Sequence, residues 1–150
     1  MEIWDGYYKD GTLANVDLVR GKPIPDGLYH LVCEVLVCHT DGDYLLMQRD
    51  LKKDIYPGFY EATAGGSALK GENKLDCIKR ELFEETGISS KDIELEHFMD
   101  LNYFKYENNI QVYYGILKHK VNLIEEKNKL EWVTINEELL DNSKFAGNYN

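Results

Sequence analysis

Glu81, Glu84 and Glu85 stand within five residues of one another, directly after Arg80. If that stretch is helical, at about 100° per residue the three carboxylates share an arc of about 100°. Like charges at i,i+3 and i,i+4 each cost a few tenths of a kcal/mol on an exposed helix. A solvated acidic face is the plain reading. The arc, however, lies beside the apolar stripe of the same segment instead of opposite it, so the acids should line an edge or a cleft. Arg80, one of three arginines in the chain, can pair with Glu84 at i+4 or orient a neighbouring carboxylate. Hard oxygen ligands gathered without Cys or His suit Mg²⁺ or Mn²⁺. Such a cluster serves phosphate chemistry, because the cation neutralises phosphate oxygens and lowers the pKa of a bound water. Gly65-Gly66 upstream read as a loop that lets backbone approach a ligand, and a carbonyl there can add to a metal's coordination.

The elements around this cluster can be read from pattern. Asn73 is a suitable N-cap for a helix over about 74–86, with Leu75, Ile78 and Leu82 as its buried stripe. Gly87 followed by Ile88 predicts a Schellman ending. Ile3 to Tyr8 and the turn dipeptide Asp10-Gly11 predict an N-terminal hairpin over about 1–20, followed by a Pro/Gly loop from Arg20 to Gly27. Leu31 to Cys38 reads as a strand covered on both faces, hairpinned through Asp41-Gly42 to Tyr44–Gln48. A short strand is expected over Tyr60–Ala64, longer ones over 93–104 and 110–117, a last one over 130–135, and a final helix from Asn136. Strands and helices mix without strict alternation, which predicts an α/β (α+β) fold with a mixed sheet between helices.

Composition bounds the function. The 150 residues fit one ordinary domain, and 43% apolar with 29% charged residues describe a soluble globular chain. No apolar run approaches the ~20 residues of a membrane span. The net charge of −10 repels DNA, RNA and anionic lipid, so no nucleic-acid or membrane partner is expected. A small anionic substrate remains open if a metal supplies positive charge. The N-terminus shows no secretory signal. Cys33 and Cys38, on one strand, point to opposite faces and cannot pair. The odd count with Cys77 suits a reducing cytoplasm.

From Gly66 to Ile88 the chain reads Gly66, five residues, Glu72, seven residues, Arg80-Glu81-Leu82, one residue, Glu84-Glu85, one residue, Gly87-Ile88. This segment, 66–88, resembles the complete signature of the Nudix hydrolases, with every fixed position filled. The resemblance implies a Nudix-type α/β/α sandwich, preceded by the hairpin, as a single domain over 1–150. It also implies hydrolysis of a diphosphate bond with Mg²⁺ or Mn²⁺, in a nucleoside diphosphate linked to another moiety or in a nucleoside di- or triphosphate. Carried over by position, Glu84 and Glu85 resemble the principal metal ligands, joined by the Gly65 carbonyl. Glu81 resembles a metal ligand or the base toward water, Glu72 a loop carboxylate reaching the site, and Arg80 the arginine that holds a glutamate. Glu126 is the candidate for a further ligand, ahead of Glu125 and Glu131. Arg49 matches a position that touches substrate phosphate, a surface arginine closing a strand being the alternative. Gly66 is expected close to substrate.

Trp4-Asp5, the Arg20-Gly21 to Pro25 loop, Tyr29-His30, Gln48-Arg49, Pro57-Gly58-Phe59 and Ala64-Gly65-Gly66-Ser67 resemble the Nudix branch similar to isopentenyl-diphosphate isomerase. The isomerase family places a catalytic cysteine where this chain has Gly65, so hydrolysis is favoured over isomerisation, and His30 is read as a core histidine. A non-catalytic nucleotide-binding sensor is the other alternative, against which the intact glutamate set argues. The aromatic run Tyr103-Phe104-Lys105-Tyr106 is suited to stacking a nucleobase, with Tyr103 the candidate and hairpin packing the alternative. Of Tyr113 and Tyr114, at most one can face the cleft. The identity of the linked group, and whether two chains pair as a homodimer, are left open.

Overall fold

The computed structural model describes residues 1–54, 56–103, 108–119, 121–125 and 129–134, the side chains of 102, 103 and 108 excepted. Strands β1 (Ile3–Tyr7) and β2 (Leu13–Val19) form the expected antiparallel hairpin. Then come β3 (His30–His39), β4 (Tyr44–Gln48), β5 (Tyr60–Glu61), β6 (Ala64–Ser67), the helix α1 (Lys74–Thr86), β7 (Glu94–Tyr103), β8 (Asn108–Leu117) and β9 (Lys129–Val133). Among the described residues the main sheet runs β5-β4-β3-β8-β7, with β6 added to β3 and β9 to β4. Only β3 and β8 pair in parallel, so the sheet is mixed as expected. The expected helix from Asn136 and residue Ile135 lie outside the described residues.

Strand β3 is the centre of the core, though its two faces differ. Cys33, Val35 and Val37 are wholly buried, while Val32, Glu34, Leu36 and Cys38 on the other face are only half-buried. The near-continuous apolar run therefore does not mean equal cover on both sides. α1 packs on the buried face, against β3 and β6. Ile78 and Leu82 are buried as their spacing predicts, but Leu75 is exposed and Cys77 takes the inward position. At the first turn the inward direction falls two residues later than the apolar pattern suggests.

The expected Tyr60–Ala64 strand is in fact two strands. β5 pairs with β4 at Met47–Gln48, whereas β6 pairs with β3 over Val32–Val35. Between them sits Thr63, fully buried, whose hydroxyl donates to the Leu45 carbonyl and accepts the Val37 N–H at 2.8 Å. This side chain fills the place where β4 peels away from β3. Gly65 and Gly66, read as a loop from sequence, lie within β6 and pair in register with β3.

α1 begins as predicted, with the Asn73 side chain accepting the Asp76 N–H at 2.8 Å. Its ending differs from the Schellman expectation. Gly87, at φ 79°, donates to the Phe83 carbonyl, the single bond of the αL motif. The Ile88 N–H, which a Schellman turn would also send to Phe83, goes to the Thr86 hydroxyl at 3.1 Å. The Ile124 N–H then caps the Thr86 carbonyl at 2.8 Å. A Cβ on Gly87 would sit 3.0 Å from Ile124 and would also strain the left-handed backbone. Gly87→Ala is therefore expected to cost about 1–2 kcal/mol, seen as a lower urea midpoint at unchanged slope.

Candidate active site

The site grows from the outer edge of β6 and the exposed side of α1. In an extended antiparallel strand the N–H and C=O of one residue leave on the same edge. Gly65 directs its N–H toward Glu85, 3.4 Å from Oε2, so its carbonyl also leaves on the edge away from β3. Gly66 has a stricter reason to lack a side chain. A Cβ there would lie 2.5 Å from the carboxyl carbon of Glu81. The bare backbone of β6 is what lets that glutamate lie flat against the sheet.

Arg80 organises the carboxylates. Its Nε and Nη2 donate to the two oxygens of Glu72 at 2.7 and 2.9 Å, a bidentate pair. Nη1 donates to Glu81 at 2.9 Å and to Glu84 at 3.2 Å, and Nη2 also reaches the Ser67 carbonyl at 3.1 Å. Glu72 accepts the Leu69 N–H at 2.7 Å as well, which fastens the loop between β6 and α1. The hydrogen bonds from Arg80 hold the Glu72 carboxyl below its ordinary pKa. Glu81 goes the other way: burial pushes its carboxyl up, although Arg80 and a hydrogen bond with Glu85 oppose the rise. Glu84 is half exposed.

Glu81, Glu84 and Glu85 share a cleft of about 350 Å³ with Met47 of β4 and with Glu2 and Arg20 of the hairpin. The remaining wall is Arg80 and the backbone of Gly65–Ser67. Four carboxylates against two guanidiniums make this surface net negative when ionised. Among the described residues no three Asp, Glu, His or Cys side chains are gathered at metal-ligand spacing. Glu81 instead turns to Arg80. The donor chemistry nevertheless fits a hard divalent cation, since the groups facing the cleft are carboxylates and a strand-edge carbonyl.

The structure brings together Gly65, Gly66, Arg80, Glu81, Glu84 and Glu85 of the residues singled out from sequence. Glu72 is placed beside them but not on the cleft wall, because both its oxygens are taken by Arg80 and Leu69. Arg49 is not on the wall either; its guanidinium meets Glu61 at 2.7 Å. Glu125 accepts the Leu130 N–H and Glu131 the Tyr60 hydroxyl, while Glu126 and the Tyr103 side chain lie outside the described residues. Tyr113 is buried in the core, and Tyr114 bonds Glu96 on the other face. His30 is buried and stacks on Trp4 at 4.2 Å. Cys77 and Cys33 are wholly buried, and the Cys33 sulfur together with burial pushes the Cys77 thiol up, so neither offers the cleft a thiol. Glu2, Arg20 and Met47 were not foreseen as wall residues. Of the three, Arg20 figures in the sequence reading only within the Arg20-Gly21 to Pro25 loop.

A family model described as the NUDIX domain matches residues 28–149. The chain belongs to the Nudix family. A Nudix hydrolase of Listeria monocytogenes is 35% identical over 88 residues, covering 59% of this chain and 52% of that protein. Nudix hydrolase 3 of Arabidopsis thaliana is 33% identical over 88 residues, 58% of this chain and 11% of its own length. The match thus spans about half the length of the Listeria relatives. Among solved Nudix-fold neighbours, a Deinococcus radiodurans protein aligns at TM-score 0.74 and 19% identity, covering 95% of this chain and 88% of that one. An Escherichia coli dihydroneopterin triphosphate pyrophosphohydrolase aligns at TM-score 0.56 and 20% identity, over 71% and 82%.

Two substitutions probe this Nudix site. Gly66→Ala meets only the flexible end of Glu81, so the fold should persist. Displacement of that carboxylate should weaken Mn²⁺ binding by calorimetry on the order of tenfold. Glu72→Gln removes a carboxylate whose folded pKa is depressed. The stability it contributes is present above its unfolded value of about 4.3 and is lost as pH falls through the folded value. The variant should be about 1–2 kcal/mol less stable at pH 7, and the gap in urea midpoint should close below about pH 4.

Proposed function

We propose that the chain is a divalent-metal-dependent hydrolase of a diphosphate bond, in a nucleoside diphosphate linked to a second group or in a nucleoside di- or triphosphate. The observation that carries this reading is the net-negative cleft formed by Glu81, Glu84 and Glu85 against bare backbone at Gly65–Gly66. Such a surface repels a polyanion unless a cation is held on it. Glu84, Glu85 and the Gly65 carbonyl are the groups to hold Mg²⁺ or Mn²⁺, with Glu81 beside them. A bound divalent cation supplies the charge that phosphate oxygens require and lowers the pKa of a water.

The chain's own residues supply positioning. Arg80 fixes Glu81 and keeps the loop from Ser67 to Glu72 against α1. Glu81, whose side chain is far more buried than that of Glu84, is our candidate to take a proton from the attacking water at a carboxylate oxygen. Met47 is the one apolar side chain on the wall among the described residues, which suits a polar phosphate chain better than a hydrocarbon tail. Two structural neighbours, an Ap4A hydrolase of C. elegans and the dihydroneopterin triphosphate pyrophosphohydrolase of E. coli, lend support to a nucleotide-like substrate.

The test is a panel of nucleoside di- and triphosphates, dinucleoside polyphosphates and nucleotide sugars, assayed with Mg²⁺ and with Mn²⁺. Wild-type protein should release a phosphate product from at least one, and Glu85→Gln should lose at least about a hundredfold in turnover while remaining folded. Absence of turnover across the panel, or full activity in Glu85→Gln, overturns the reading.

A further inference from the structure

The β1–β2 hairpin is fastened to the loop that leads into α1. The Lys70 N–H donates to the Ile3 carbonyl at 2.9 Å, the Gly71 N–H to the Asp5 carboxylate at 2.8 Å, and Lys70 Nζ pairs with Asp17 at 2.8 Å. This docking brings the two ends of the hairpin, Glu2 and Arg20, into the cleft that holds the α1 glutamates. They are anchored unequally. One Glu2 oxygen, Oε2, accepts the indole N–H of Trp4 at 2.8 Å and an Arg20 N–H at 3.2 Å. Trp4 is buried and stacked on His30, so Glu2 is tied to a rigid support. The Arg20 side chain is 69% exposed, and its one ion pair among the described residues is this long contact to Glu2.

The other two arginines are committed elsewhere. Arg80 is spent on glutamates of the site, and Arg49 is paired with Glu61 at 2.7 Å. An exposed ion pair holds its partners weakly. A guanidinium meets a phosphate through two parallel N–H donors and gains more from its greater charge than from a single carboxylate. Arg20 is thus the cation on the cleft wall that can change partners at little cost.

We propose that Arg20 is the phosphate-contacting residue of this site and that Glu2 holds it in the free protein, competing with substrate for the guanidinium. The inference rests on the diphosphate-hydrolase reading for its substrate class. It makes the hairpin, which precedes the matched NUDIX domain, part of substrate binding.

A structural ion pair and a competing one predict different signs. Steady-state kinetics on the panel substrate with the highest turnover would compare wild type with Arg20→Ala, Arg20→Lys and Glu2→Gln. Arg20→Ala should raise KM about tenfold with kcat within about twofold, and Arg20→Lys should recover part of the loss. Glu2→Gln should lower KM by about two- to threefold, because the guanidinium is released and one negative charge leaves the cleft. Calorimetry with methylenediphosphonate and Mg²⁺, a non-hydrolysable diphosphate, should show the same opposite shifts in Kd. A KM and Kd unchanged in Arg20→Ala, or raised alike in Arg20→Ala and Glu2→Gln, overturns the inference. Failure of wild type to bind the analogue also overturns it. Binding with the predicted opposite shifts but no turnover of any substrate upholds Arg20 and refutes the hydrolase reading alone.

Discussion

The arrangement depends on one guanidinium. Arg80 distributes its donors over Glu72, Glu81, Glu84 and the Ser67 carbonyl, so a single planar group joins loop, strand and helix. A carboxylate as buried as Glu81 is costly without a partner, and two more acids on the same helical arc add repulsion. Arg80 offsets both, and Glu72 in turn keeps Arg80 from swinging into solvent. Removing the arginine would therefore not subtract one contact. It would leave a buried charge uncompensated and the loop after β6 untied at the same moment.

The second constraint lies in the sheet. One edge of β3 serves two strands, β4 toward its C-terminal end and β6 over its first half. Where β4 departs, the Thr63 hydroxyl stands in for the missing strand, accepting from Val37 and donating to Leu45. That divergence places Met47 of β4 and the glycines of β6 on the wall of one cleft. A sheet in which β4 followed β3 to its end would have no free edge beside α1. The glutamates would then face a paired strand instead of an open groove.

Much of this was legible in the residues. The helix, its N-cap and the hairpin turns follow from local rules of periodicity, capping and spacing, and the grouping of Gly66 with Arg80 and the three glutamates from the resemblance to the Nudix signature. What escaped is what depends on tertiary partners. Cys77 replaces Leu75 on the inward face, where α1 packs on β3 and β6 and the Cys77 sulfur meets the Gly66 carbonyl at 3.6 Å. The Thr86 hydroxyl diverts an N–H and changes the type of helix ending. Gly65-Gly66 looks like a loop by composition, yet long-range pairing to β3 makes it strand. Arg49 matches, by resemblance, a position that touches substrate phosphate; here the two-residue strand β5 brings Glu61 to 2.7 Å from its guanidinium. Except at Thr86, which acts two residues away, a partner distant in sequence decided between local options of similar cost.

Charge on two length scales explains why arginine and not lysine lines the cleft. The chain carries a net charge of −10, so its distant field repels any polyphosphate. That field is screened beyond roughly 10 Å at moderate salt, and discrimination falls to contacts made inside the cleft. Among the described residues no lysine is on its wall, although the chain holds many more lysines than arginines. An ammonium is a mobile point charge, which a neighbouring glutamate would capture in many geometries. A planar guanidinium can hold two carboxylates apart, as Arg80 does, or present two parallel donors to one anion. In a cleft that must leave carboxylate oxygens for a cation yet still accept an anion, directional donors succeed where a diffuse positive charge would collapse onto the nearest carboxylate.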